Sequence, residues 1–101
     1  MPAKGPALTD SVTIKADVVF KELAGEGVLL DLASGMYFGL DETSTRLWQL
    51  INERGSLSRV FDDMLAEFDV DPDRLQQDIL SFVAELTRRD LVSLASPPTR
   101  S

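Results

Sequence analysis

Residues 29–41 read LLDLASGMYFGLD, two apolar runs joined by Ala33, Ser34 and Gly35. The small residues predict a hairpin turn, and beyond Asp41 the apolar spacing changes from a period of 2 to one of about 3.6. This is where a sheet gives way to helices. Upstream, Val18–Leu23 (VVFKEL) and Val28–Leu32 (VLLDL) are β-rich runs separated by Ala24, Gly25, Glu26 and Gly27, a loop of hairpin length whose glycines can take positive φ. With Met36–Leu40 they form an antiparallel meander.

Downstream, Asp41 is a good N-cap, and Leu47, Leu50 and Ile51 fall on one stripe with Trp48 on its flank, giving a helix to about Glu53. Arg54-Gly55 breaks the pattern. Ser56 then caps a second helix whose stripe is Leu57, Val60, Phe61, Met64, Leu65 and Phe68. Asp71-Pro72 opens a third in the preferred order of cap and then proline. Its stripe is Leu75, Ile79, Phe82, Val83 and Leu86, and Arg88 and Arg89 near its end suit the negative pole of the helix dipole. Leu91–Leu94 adds a short final strand. The expected class is α+β: a three-stranded antiparallel sheet followed by three helices in a winged-helix-like order, one sheet face packing on the helical trio. Residues 16–94 make this domain, and residues 1–15 and 95–101 are expected as flexible tails, the outermost being rich in Pro, Ala, Ser and Thr.

Composition narrows the chemistry. A chain of 101 residues, 44% of them hydrophobic, can build one small core but not a buried cofactor cavity as well, so no cofactor is expected. It has neither cysteine nor histidine, which removes disulfides, thiolate nucleophiles, imidazole bases and most transition-metal sites. No segment resembles a signal peptide or a membrane span, and the expectation is a soluble cytoplasmic chain.

Paired carboxylates are the remaining catalytic option. Asp62 and Asp63 are adjacent on a helix and so point about 100° apart, unable to flank one bond. Asp69, Asp71 and Asp73 read as a turn and a helix cap, since DVDPD lacks the glycine and later glutamate of a calcium loop. Ser34 has no base nearby, and the glycines of GEG at 25–27 precede a strand, not a helix. The chain is read as non-catalytic.

A net charge of −7 argues against phosphate backbones. The three helices resemble a helix-turn-helix, yet the polar positions of the third are Asp73, Arg74, Gln76, Gln77, Asp78, Ser81, Glu85, Arg88 and Arg89, with acids throughout. A winged-helix DNA regulator is therefore the alternative reading, not the leading one.

In a meander ordered as the sequence runs, both outer strands are edges with unpaired backbone groups. Lys21 and Glu22 blunt the first, whereas Met36–Leu40 carries no charge. Alternation puts Met36, Phe38 and Leu40 on one face and Tyr37 and Gly39 on the other. Either the third helix or the C-terminal segment shields this edge, or an extended peptide pairs with it by β-augmentation. Backbone hydrogen bonds net only about 0.5–1.5 kcal/mol each, so micromolar affinity, about 8 kcal/mol, also needs side-chain anchors.

The residues that decide between these options carry a resemblance. Ser34-Gly35, Tyr37-Phe38, Leu40-Asp41, Leu47-Trp48, Val70-Asp71 and Leu91-Val92, spread over residues 16–94, resemble the pattern of the PqqD-like peptide chaperones, the RiPP recognition elements. The chain departs from that pattern at Ser44 and Asp90, where glycine often stands. The resemblance implies a chaperone that binds the leader segment of a ribosomally made precursor peptide as an added strand. The leader is then delivered to a modifying enzyme such as a radical SAM protein, a cyclase or a leader peptidase. Carried over, Met36, Tyr37, Phe38, Gly39 and Leu40 pair with the leader, and Leu75, Asp78, Ile79, Phe82 and Glu85 line the facing helix, with Asp78 and Glu85 placed to meet a basic residue. Neither nucleic acid nor membrane is an expected partner. The chain is expected as a monomer, or as a homodimer in an assembly role that buries the Met36–Leu40 edge.

Overall fold

The computed structural model describes residues 6–95. In chain order the elements are β1 (Ser11–Ile14), β2 (Val18–Leu23), β3 (Glu26–Asp31), β4 (Met36–Leu40), α1 (Glu42–Arg54), α2 (Leu57–Glu67), α3 (Pro72–Arg88) and β5 (Val92–Ala95). The expected α+β order is found, with β2, β3 and β4 forming an antiparallel sheet in sequence order. No helix among the described residues is long and apolar enough to cross a membrane.

The first hairpin is tighter than its glycines suggest. Leu23 pairs with Glu26, so only Ala24 and Gly25 form the turn, with φ of 54° and 86°. Two positive φ values are what a type I′ turn requires, and its twist matches that of the flanking strands. Glu26 and Gly27 therefore belong to β3 and not to the loop. In the second hairpin, the Asp31 carboxylate accepts from the Ala33 N–H (3.2 Å) and the Ser34 hydroxyl (2.9 Å), while Gly35 turns the chain at a φ of 76°.

The helices start where their caps place them. Asp41 accepts from the Ser44 N–H at 2.8 Å and Asp71 from the Arg74 N–H at 3.2 Å. Ser56 occupies the N-cap of α2 but makes no side-chain capping bond; its hydroxyl meets that of Ser58 instead. Phe68, expected on the α2 stripe, leaves the helix as its extended C-cap and is exposed. Arg46 grips Glu67 through two bonds of 2.8 and 2.5 Å, tying α1 to α2. The hydrogen bond from Arg46 holds the Glu67 carboxyl below the usual carboxylate range.

Across the inner face of the sheet, Phe20, Leu29 and Phe38 sit opposite one another. Leu29 at the centre is fully buried, and Trp48, expected only on the flank of α1, is buried and stacks on Phe20 with ring centroids 6.4 Å apart. Ile79 and Val83 of α3 complete this core with Leu57 and Val60 of α2.

The N-terminal tail expected at 1–15 needs correcting. Residues 11–14 form β1, whose whole length pairs antiparallel with β5 from Ser11↔Ala95 to Ile14↔Val92. Val12 is buried, and its N–H donates to the Gly55 carbonyl at 2.7 Å. A run of SVTI holds too few apolar residues to show a period, and its partner lies at the far end of the chain. Residue 95 likewise closes β5 and does not begin a tail, while the expected tails at 1–5 and 96–101 lie outside the described residues.

One side chain stitches α1 into the sheet. The Thr45 hydroxyl accepts from the Gly27 N–H at 2.7 Å and points toward the Leu40 carbonyl at 3.5 Å, filling the last rung of the β3–β4 ladder. A Cβ added at position 27 would lie 2.5 Å from the Phe20 ring and 3.0 Å from the Thr45 hydroxyl, so any other residue displaces this packing.

Two stability tests follow from this geometry. Ala24→Asn supplies a residue that accepts positive φ in the turn, and the melting temperature should rise by an amount equivalent to about 0.5–1 kcal/mol; a fall would contradict the type I′ assignment. Thr45→Val leaves the Gly27 N–H buried without its partner and should lower stability by about 1–3 kcal/mol in chemical denaturation, with unchanged stability the contrary result.

Candidate functional site

The site is built from the backbone of β4. The Leu32 N–H donates to the Asp17 carbonyl at 2.9 Å, which fixes the phase of the β2–β3 ladder. In an antiparallel pair, residues alternate between those that exchange hydrogen bonds and those that do not. Leu30 and Val28 thus bond toward β2, while Leu29 and Gly27 bond toward β4, where they face Phe38 and Leu40. Tyr37 and Gly39 are left directing their N–H and C=O groups away from the sheet. No described strand pairs with them, because β5 is taken by β1.

Beside this edge runs a groove of about 480 Å³ between β4 and α3. Tyr37, Phe38, Gly39 and Leu40 form one wall and Phe82, Glu85 and Arg89 the other. A second hollow of about 480 Å³ continues it past the start of α1, lined by Asp41, Thr43, Ser44, Asp78, Ser81 and Phe82. Phe82 belongs to both and joins them. At the first end, the Arg89 guanidinium lies over the Phe38 ring, 4.6 Å from its centroid, a cation–π arrangement. Its Nε donates to Glu85 at 2.6 Å, and Arg88 pairs with the same carboxylate. At the other end Arg74 pairs with Asp78 at 3.2 Å.

The residues expected at the site divide into two groups. Tyr37 is 73% exposed and Met36 56%, Gly39 has open space where a Cβ would stand, and Phe38 is half-buried with its ring turned to the groove. Leu40 is buried at the groove wall. Asp78, Phe82 and Glu85 line the groove as expected. Leu75 and Ile79 do not: at 4% and 0% exposure they are core residues, facing the packed interior a turn away from the groove. Ile79 and Phe82 share one sequence stripe, and spacing alone does not separate the residue that is enclosed from the one at its margin.

Sequence reasoning missed Arg89, Ser44 and Ser81. Arg89 carries no motif, and its spacing fits a complement to the helix dipole equally well. It is the C-cap of α3, and Asp90 after it takes a φ of 63°, the left-handed conformation that favours glycine. The Asp90 carboxylate pairs with Lys15 at 2.6 Å, which joins the α3–β5 turn to the end of β1.

Among curated proteins no sequence matches the chain. A solved structure of TbiB1 in complex with the TbiA(beta) leader peptide is 34% identical, covers 79% of this chain and 93% of its own, and superposes with a TM-score of 0.75. A lasso peptide synthetase B1 complexed with the leader peptide shares the fold at 22% identity, with a TM-score of 0.74 over 82% of this chain and 98% of its own. The family model described as coenzyme PQQ synthesis protein D (PqqD) matches residues 26–92, from the start of β3 through α3 to the first residue of β5. The chain belongs to the PqqD family.

Proposed function

We propose that this chain is a non-catalytic peptide chaperone: it binds the leader segment of a ribosomally synthesised precursor as a strand added to β4 and delivers it to a modifying enzyme. The observation that carries the reading is the alternation at the edge. Tyr37 and Gly39 offer outward N–H and C=O groups beside a groove with apolar walls, the arrangement that strand addition uses. The 34% identity to TbiB1, itself bound to a leader peptide, supports the same reading.

Backbone pairing supplies attachment with little sequence preference, and the groove supplies the anchors. A strand beside β4 turns every second side chain inward, next to Phe38 and toward Phe82 on α3. Leader residues at those positions bury apolar surface at about 25 cal/mol per Å². Met36 and Tyr37 are exposed at the start of β4. The modifying enzyme is a radical SAM protein, a cyclase or a leader peptidase, and the chaperone contributes position, not chemistry.

Tyr37→Pro tests the reading. Tyr37 directs its N–H away from β3, so proline removes no bond of the native ladder and is compatible with an edge strand. It does remove a donor to the leader and places a ring against the incoming strand. Given a leader peptide that the wild-type chain binds, a folded Tyr37→Pro chain should bind it at least about tenfold more weakly in fluorescence anisotropy. Unchanged affinity with the fold intact would overturn strand addition at β4.

A further inference from the structure

The cation at the Phe38 end of the groove is arranged as a receptor. Glu85 carries one negative charge and meets both Arg88 and Arg89, so among the described residues this end keeps one positive charge uncompensated on a chain whose net charge is −7. The Nε of Arg89 is occupied by Glu85 and the face of its guanidinium by the Phe38 ring. Its outer Nη groups have no hydrogen-bond partner among the described residues. A planar guanidinium fixed in this way presents a donor edge matched to a carboxylate.

The ladder phase determines what meets it. Tyr37 and Gly39 make the hydrogen-bonded pairs with an added strand, so the leader residue opposite Phe38 sits in a non-hydrogen-bonded pair, on the same inner face, with its Cβ about 5 Å from that of Phe38. That side chain lies beside Arg89. We propose that Arg89 is the specificity-determining residue of the groove and takes an acidic leader side chain opposite Phe38, so setting the register of the bound strand.

Register needs such a device because backbone bonds alone do not define it. A slip of two residues keeps the inward face inward and preserves the ladder, yet moves every side chain by about 6.8 Å. A carboxylate displaced by that distance leaves Arg89. Toward the other end it meets the Asp41 carboxylate, which repels it, and an Asp78 already paired with Arg74. The charges that line the groove thus favour one register and disfavour its neighbours.

This inference rests on the leader-binding reading, and one experiment separates the two. A display library of random extended peptides is selected on the wild-type chain, and the enriched peptides are remade with each Asp or Glu changed to Asn or Gln. One acidic position should recur, and neutralising it should weaken binding to the wild-type chain about fivefold. Against Arg89→Gln, whose fold is checked by its melting transition, the same change should matter less than about twofold. Arg89→Lys, which keeps the charge but not the planar fork, should fall between. Peptides that bind without a recurring acid, or an acid preference of equal size in Arg89→Gln, overturn the role of Arg89 and leave strand addition standing. No enrichment of any peptide on the folded chain overturns both.

Discussion

Among the described residues the pairing of β5 with β1 leaves the outer edge of β4 without a partner strand. Had β5 added to β4, Tyr37 and Gly39 would have spent their hydrogen bonds internally. Instead β5 returns from α3 through the tight turn at Asp90 and pairs with β1 in a separate two-stranded sheet. The Lys15–Asp90 ion pair and the Val12–Gly55 backbone bond fix that small ribbon in place. The β4 edge is open because the strand able to close it is held elsewhere.

An open edge is a hazard unless its surroundings restrict what binds there. Here α3 runs alongside at the distance of a groove, with Phe82 midway and Arg89 reaching across to Phe38. The row Phe20, Leu29, Phe38 ties that wall to the core, so the position of Phe38 depends on the same packing that holds the sheet against α1. Thr45 secures the end of β4 by filling its last rung. Stability and site are therefore not separable at this edge: the residues that anchor β4 also set the geometry presented to a ligand.

Most of the fold was legible because its signals are local. Caps at Asp41 and Asp71, Pro72 at the start of α3 and the change of period after Leu40 each act within a few residues, and the helices begin where these signals place them. What escaped was non-local or marginal. β1 has too few apolar residues to show a period and is stabilised by a partner from the other end of the chain. The Ala24-Gly25 turn was hidden by a nearby glycine, Gly27, needed for a different reason, the close approach of Phe20. Beside the groove, the exposed edge at Met36–Leu40 was legible from alternation and from its lack of charge. The helix residues were less so, because the margin of an apolar stripe is where core ends and groove begins: Ile79 lies on one side of it and Phe82 on the other. The placement of Arg89 in the groove was not legible, since it depends on a ring from another element.

The most direct test of the account is amide hydrogen exchange on β4, followed by NMR in the free chain and in its complex with a leader peptide. In the free chain Phe38 and Leu40 should be protected and Tyr37 and Gly39 should exchange freely; on binding, Tyr37 and Gly39 should become protected while Phe38 and Leu40 hardly change. Tyr37 and Gly39 already protected in the free chain, or still unprotected in the saturated complex, would contradict it.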